Sequence, residues 1–96
     1  NTAASNAELI NNICEPAEVP VICGEKGVCE GCGIATLTID YYELGQITGE
    51  MAVDILENGA DVSQMAVRQA EQVKKCYVPE RCEKLGISIP DDYEEL

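Results

Sequence analysis

The sequence predicts a small α/β domain in which helices pack on a short parallel sheet. Short β-branched runs alternate along the chain with stretches of helical periodicity, and Pro or Gly residues separate the two kinds of segment. Hydrophobic residues make up 46% of the 96 residues. A chain of this length and composition is expected to form one domain with a packed core.

The first predicted helix covers residues 3–14, where apolar side chains recur at helical spacing and Thr2 is the expected N-cap. Residues 19–23 form an apolar run between Pro and Gly, which predicts a buried strand ending at Gly24. The β-branched run at residues 34–39 predicts a second strand.

The longest helix is predicted directly after the second strand. Asp40 and Glu43 form an acidic variant of the capping box at its start, and Asn58-Gly59 marks its end. Its broad apolar stripe consists of Leu44, Ile47, Met51 and Ile55.

Two alternatives stay open for residues 60–75, which fit either a helix face or an extended crossing into a strand at residues 75–78. Residues 79–86 are clearer, because Pro79 suits the first position of a helix and Gly86 the position just past its end. The chain closes with an acidic tail at residues 91–96.

The chain is strongly acidic, with 6 Lys and Arg residues against 18 Asp and Glu residues, a net charge of −12 and no histidine. Binding to nucleic acid or to anionic lipid relies on Lys and Arg, so neutral, zwitterionic or basic partners are expected instead. Without histidine, this chain cannot assemble a Ser-His-Asp or Cys-His catalytic site or a His-zinc site. We therefore expect no enzyme activity and no cofactor.

Six cysteines admit three interpretations: a disulfide framework, a zinc or thiol-redox site, or small buried apolar residues. The second interpretation uses the Cys29 and Cys32 pair together with Cys76 and Cys82. The third is favoured, because Cys23 and Cys76 border apolar runs.

Two segments stand where ligands usually bind in parallel α/β sheets, beyond the carboxyl ends of strands. Gly24-Glu25 follows the first predicted strand, and Asp40-Tyr41-Tyr42 follows the second. Both segments therefore contain candidate ligand-binding residues.

Residues 40–52 read D-Y-Y-E-L-G-Q-I-T-G-E-M-A. This motif resembles a segment of the substrate-binding proteins of bacterial ABC transporters, of the uncharacterised-transport type that includes tryptophan-binding members. Residues 1–5, 19–21 and 84–90 are similar to further segments of the same family. At residues 76–82 the chain departs from the family's usual V-I-N-L-K-T-A, and Cys76 and Cys82 stand there at small apolar positions.

The resemblance implies a type I periplasmic-binding fold, whose two lobes close on a small molecule such as an amino acid and present it to a membrane permease. It also implies that this chain is the last third of such a protein, located outside the cytoplasmic membrane as a periplasmic protein or surface lipoprotein. The helix at residues 41–62 would then belong to the opposite lobe.

Asp40 is the leading ligand-binding candidate, because its carboxylate suits the ammonium group of an amino acid while also capping a helix. One of Tyr41 and Tyr42 is expected to stack on the ligand and the other to pack in the core. Asn1 and Thr2, before the first helix, are candidates for the ligand carboxylate. Glu25 is a weaker candidate for the cleft wall.

A fragment of this kind would expose the apolar stripe of the long helix, so we expect self-association. Two other functions remain as alternatives. One is the cysteine-based zinc or thiol-redox module, and the other is an acidic fragment that binds a basic partner.

Overall fold

The computed structural model describes residues 1–96, which form five α-helices, four β-strands and one 3₁₀ turn at Val62–Gln64. The helices are α1 Thr2–Ser5, α2 Ala7–Cys14, α3 Lys26–Cys32, α4 Tyr41–Leu56 and α5 Pro79–Leu85. The strands are β1 Ile22–Cys23, β2 Ala35–Ile39, β3 Val73–Tyr77 and β4 Glu94–Glu95. The predicted α/β class is confirmed. No helix is both long and apolar enough to cross a membrane.

The four strands form one sheet in the order β1, β2, β3, β4. β1 pairs in parallel with β2, with Cys23 opposite Thr36, and β3 pairs in parallel with β4. The Val78 amide, just after β3, donates to the Ile34 carbonyl, just before β2, at 2.9 Å. The end of β3 therefore lies beside the start of β2, so these two strands run in opposite directions. The β1–β2 pair is parallel as predicted, whereas the antiparallel β2–β3 pair at the centre departs from the predicted parallel sheet.

The chain divides into two compact units, one of residues Asn1–Thr38 with Lys74–Leu96 and the other of residues Ile39–Val73. The first unit has two apolar clusters. One is built on Cys23, Val28, Cys29 and Cys32, and the other on Ile34, Ala35 and Cys82. Small side chains dominate both clusters, which lets α3 and α5 approach the short strands closely.

Two glycines make that close packing possible. A Cβ added at Gly33 would lie 2.5 Å from Cys23 Sγ, and one added at Gly31 would lie 2.8 Å from Ala7 Cβ. Both distances are shorter than carbon and sulfur atoms tolerate. Gly31 therefore sets how near α2 lies to α3, and Gly33 sets how near the end of α3 lies to β1.

The N-terminal helix differs from its predicted form. Asn1 caps it, because the Asn1 side chain accepts a hydrogen bond from the Ala4 amide at 2.9 Å. The predicted cap, Thr2, is instead the first helical residue. Asn6 interrupts the helix, and its side-chain amide donates to the Thr2 carbonyl at 2.7 Å. Asn favours such local hydrogen bonds over helix continuation, which explains the break.

The predicted strand at residues 19–23 shortens to Ile22–Cys23. Pro20 lies within the predicted run and has no N–H to donate to a sheet ladder. The Val21 carbonyl still accepts a hydrogen bond from the Ile34 amide at 2.9 Å, so the chain stays close to β2 at this point.

In the second unit, much of the apolar stripe of α4 is shielded from solvent. Ile47 is buried, Leu44 and Met51 are half-buried, and Ile55 is exposed. The expectation that the whole stripe is exposed is therefore wrong. The helix ends at Leu56, and Gly59 adopts a φ of 69°, which suits glycine.

The segment after α4 is extended apart from its 3₁₀ turn, so the extended alternative for residues 60–75 is correct. Two contacts tie it to α4. Arg68 forms an ion pair with Glu50 at 3.1 Å, and the Glu71 amide donates to Glu43 Oε1 at 3.3 Å. Glu43 thus accepts a hydrogen bond from a distant backbone amide, in contrast to its predicted part in a capping box.

The C-terminal helix matches its prediction, with Pro79 at its start and Gly86 in the left-handed conformation at its end.

The acidic tail forms β4, which the sequence analysis did not predict. The Leu96 amide donates to the Tyr77 carbonyl at 2.8 Å, and Tyr77 Oη donates to Glu95 Oε1 at 3.2 Å.

Candidate functional site

Glu25 begins the first of the two segments that follow a strand. Its carboxylate caps α3, accepting hydrogen bonds from the Gly27 amide at 3.0 Å and the Val28 amide at 2.6 Å. A Cβ at position 27 would lie 3.2 Å from Glu25 Oε1, so glycine there makes room for the folded-back side chain. Both carboxylate oxygens are engaged, so any ligand contact by Glu25 would compete with the cap.

Asn1 and Thr2 lie at the start of α1, which is four residues long and packs against α3. The Asn1 side chain is already hydrogen-bonded to the Ala4 amide, and the Asn1 carbonyl accepts from the Ser5 amide at 3.1 Å. The Thr2 carbonyl accepts from the Asn6 side chain. These bonds satisfy the turn locally and leave the Thr2 hydroxyl exposed.

Asp40 caps α4 as predicted, because its Oδ1 accepts a hydrogen bond from the Tyr42 amide at 2.9 Å. The residue is half-buried. A carboxylate at a helix N-terminus is stabilised by the positive end of the helix dipole.

Tyr41 and Tyr42 are both exposed, by 62% and 76% respectively. The expectation that one of them packs in the core is therefore wrong. They occupy the first turn of α4, where successive helical positions point outward in different directions. Two exposed phenol rings next to a carboxylate can offer stacking and hydrogen bonding to a ligand.

The six predicted site residues fall into two groups. Asn1, Thr2 and Glu25 belong to the first compact unit, and Asp40, Tyr41 and Tyr42 belong to the second. Within each group the residues are capping residues of helices or lie within two positions of one. Helix N-termini and exposed rings are groups that recognise charged and aromatic parts of small molecules.

The cysteines behave as buried thiols. Cys32 Sγ donates to the Val28 carbonyl at 3.3 Å, and Cys82 Sγ donates to the Ile34 carbonyl at 3.6 Å. Burial raises the pKa of the Cys23 thiol to about 12 and that of Cys29 to about 11. Attack on a disulfide needs a thiolate, so the raised pKa of Cys23 and of Cys29 makes these two thiols poor redox nucleophiles near neutral pH.

The arrangement of the cysteines points the same way. All six are free thiols. Cys29 and Cys32 lie in one apolar cluster, whereas Cys82 lies in the other. No three Cys, Asp or Glu side chains are grouped so that they would hold a metal ion. The structure favours the interpretation of the cysteines as packing residues.

Arg81, which the sequence analysis did not single out, links three helices of the first unit. Its Nε donates to Asn11 Oδ1 on α2 at 3.2 Å. Its two terminal nitrogens donate, at 3.0 to 3.3 Å, to four backbone carbonyls at the end of α3, those of Cys29, Glu30, Gly31 and Gly33. A cation at this position satisfies carbonyls that a helix end leaves free and opposes the negative end of its dipole. The signal available in the sequence was that Arg81 is one of only two arginines in an acidic chain and lies close to an apolar run.

Comparison with known proteins defines the class to which this fold and these residues belong. Residues 1–94 match the family described as ABC transporter substrate binding protein. The chain belongs to this family, which confirms the resemblance found in its sequence. Members of the family are in general binding proteins without enzyme activity.

A curated relative is the tyrosine-binding protein of Clostridioides difficile (strain R20291), which is 27% identical over 74 residues. That match covers 77% of this chain and 21% of the relative. The chain thus spans about a fifth of the length of this relative.

Solved structures share the fold. A ligand-free, open substrate-binding protein with adhesive properties from Clostridium difficile is 32% identical, with a TM-score of 0.77 over 98% of this chain and 32% of that one. The ABC domain from Streptococcus pneumoniae in complex with L-Trp is 26% identical, with a TM-score of 0.84 over 99% of this chain and 34% of that one. A conserved domain protein from Vibrio cholerae also shares the fold. It is 23% identical, with a TM-score of 0.74 over 97% of this chain and 38% of that one.

Proposed function

We propose that this chain is part of the solute-binding component of an ABC importer and that the protein captures an amino acid with an aromatic side chain. The observation that carries the proposal is Asp40, whose carboxylate caps α4 beside the exposed rings of Tyr41 and Tyr42. The carboxylate binds the ammonium group of the ligand, and one of the rings stacks on its side chain.

The family supports this proposal, and so do its named relatives. One is called a tyrosine-binding protein, and another was solved with L-Trp. Amino acids are zwitterions, which suits a chain with a net charge of −12 better than an anionic substrate would. The protein acts outside the cytoplasmic membrane, as a periplasmic protein or surface lipoprotein, and delivers its ligand to a membrane permease.

We further propose that residues 41–62 lie in the lobe opposite the first compact unit and that this chain supplies the last third of the complete protein. Two observations support this arrangement. Residues Ile39–Val73 form a compact unit of their own, and the chain spans 32% and 34% of the Clostridium and Streptococcus structures.

Isothermal titration calorimetry of the complete protein with Tyr, Trp, Phe and Leu tests the function. Asp40→Asn should weaken the binding of the aromatic amino acids about tenfold or more, because the ammonium group loses its counter-charge. Asp61→Asn is the matched control, because Asp61 also caps a helical turn in the second unit, through the Ser63 amide at 2.9 Å. Equal affinities of both variants, or preference for Leu over the aromatic amino acids, would overturn the proposal.

Self-association of the isolated chain is proposed on a different surface from the one first expected. Ile22 in β1 is 71% exposed and Leu37 in β2 is 55% exposed, so neighbouring strands present an uncovered apolar face. Light scattering coupled to gel filtration should show a multimer, and Leu37→Lys should shift it toward the monomer. A wild-type monomer at working concentration would refute this proposal.

A further inference from the structure

The first compact unit contains a cavity of about 280 Å³, bordered by the C-terminal half of α2, the loop at residues 15–21 and α5. Its apolar lining is provided by Val19, Val21, Ile34 and Leu85, together with the thiols of Cys14 and Cys32. Val21 and Ile34 directly precede β1 and β2. The cavity thus lies at the amino ends of these strands, whereas Glu25 follows the carboxyl end of β1.

The charged groups around the cavity are mostly paired with one another. Glu15 accepts hydrogen bonds from Lys84 at 2.9 Å and from Asn11 at 3.0 Å, one on each carboxylate oxygen. Lys84 also contacts Glu80 at 3.3 Å. The guanidinium of Arg81 is bound to carbonyls and to Asn11. Lys84 and Arg81 are therefore already engaged with acceptors of this chain.

Glu18 is the exception. Its side chain lines the cavity, is exposed to solvent and takes part in no hydrogen bond or ion pair. Its backbone has a φ of 55°, the left-handed region that residues other than glycine rarely adopt. Hydrogen bonds from the Glu18 amide to the Glu15 carbonyl and from the Val19 amide to the Cys14 carbonyl hold this conformation. The turn therefore keeps an unpaired carboxylate at the rim of an apolar cavity.

We propose that this cavity is a second ligand site that binds small primary amines carrying a short alkyl chain or a single ring. The apolar group occupies the cavity, where it removes hydrocarbon surface from water. The ammonium group pairs with the Glu18 carboxylate at the rim. An apolar cavity of roughly 150 Å³ accommodates benzene, so this larger one has room for such a group.

Hexylamine is the probe, with hexanol as the neutral control and hexanoate as the control of opposite charge. Titration of the isotopically labelled 96-residue chain, followed by NMR of its methyl groups, should give saturable shifts at Val21, Ile34 and Leu85. Hexylamine should bind most tightly and hexanoate most weakly, because the only unpaired charge at the rim is negative.

Two variants test the residues. Glu18→Gln should weaken hexylamine binding about fivefold and leave hexanol binding unchanged, because it removes one charge-assisted hydrogen bond. Glu8→Gln is the matched control, since Glu8 is an exposed carboxylate of α2 that does not line the cavity. Cys14→Leu should weaken the binding of both hexylamine and hexanol, because the larger side chain takes up part of the cavity, and its amide spectrum shows whether the fold is kept.

The proposal is overturned if hexylamine gives no saturable shift, if the shifted methyl groups lie away from the cavity, or if Glu18→Gln binds hexylamine like the wild type. Hexanoate binding as tight as hexylamine would also overturn it. The Glu18 and Glu8 pair remains decisive even if Cys14→Leu unfolds. Amino-acid binding at Asp40 is a separate measurement, so either site can fail without the other.

Discussion

Arg81→Met is the most informative stability variant, because Arg81 bonds to both α2 and α3 from its place on α5. Methionine keeps much of the apolar stem of the side chain but removes all of its donors. The carbonyls of Glu30 and Gly31 lose hydrogen bonds of 3.0 Å, while three further contacts of 3.2 to 3.3 Å are weaker.

The expected loss follows from those distances. Two good hydrogen bonds at roughly 1 to 1.5 kcal/mol each give about 2 to 3 kcal/mol, with the longer contacts adding little once water replaces them. A chain of this size has a total stability of about 5 to 14 kcal/mol. The variant should therefore lose a large part of its free energy of unfolding. Arg81→Lys should lose about half as much, because an ammonium group cannot reproduce the planar fork.

Urea unfolding followed by far-ultraviolet circular dichroism measures the effect. The midpoint should fall while the slope stays constant, since the surface exposed on unfolding is unchanged. Arg68→Met is the matched control, because Arg68 makes a single exposed ion pair with Glu50, worth less than about 1 kcal/mol. Equal losses in Arg81→Met and Arg68→Met, or wild-type stability in Arg81→Lys, would refute the reasoning about helix ends.

Three further outcomes are expected. Urea unfolding should show that Gly33→Ala destabilises the chain by about 1 to 3 kcal/mol, because the added Cβ would lie 2.5 Å from Cys23 Sγ. Gly45→Ala should instead stabilise the chain by roughly 0.5 to 1 kcal/mol, because Gly45 lies on α4 with open space around it. A thiol reagent followed by mass spectrometry should label half-buried Cys14 before the five buried cysteines; uniform labelling would contradict this. Burial raises the pKa of Cys23 to about 12 and of Cys29 to about 11, above the value of 9.0 for a free thiol. Stability should therefore be full below pH 9 and fall as the pH rises toward 11 to 12, and Cys23→Ala should reduce that fall.

Local signals in the sequence were enough to predict the helices that have distinct residues at their ends. Pro79 and Gly86 mark the two ends of α5, and Asp40 caps α4. The family motif at residues 40–52 was specific enough to identify the family. In these places one residue type has one dominant local role, so tertiary context does not change the outcome.

The features that the sequence did not reveal depend on contacts between distant residues. β4 consists of two glutamates, which have no apolar pattern, and it is recognised only by its pairing with the backbone of β3. The role of Arg81 appears only when α3 ends beside it. The exposure of both Tyr41 and Tyr42 depends on how the second unit folds, which periodicity alone does not specify.

Residues Ile39–Val73 form an insertion between β2 and β3, which are neighbouring antiparallel strands of one sheet. The chain leaves the first unit at Thr38 and re-enters it at Lys74, on strands that lie side by side. A gene in which this segment is replaced by a short Asn-Gly turn would encode an ordinary β-hairpin at the same place. The segment could therefore be exchanged as a genetic module. A single protease cut within it would leave one part of the segment attached to residues Asn1–Thr38 and the other part attached to residues Lys74–Leu96.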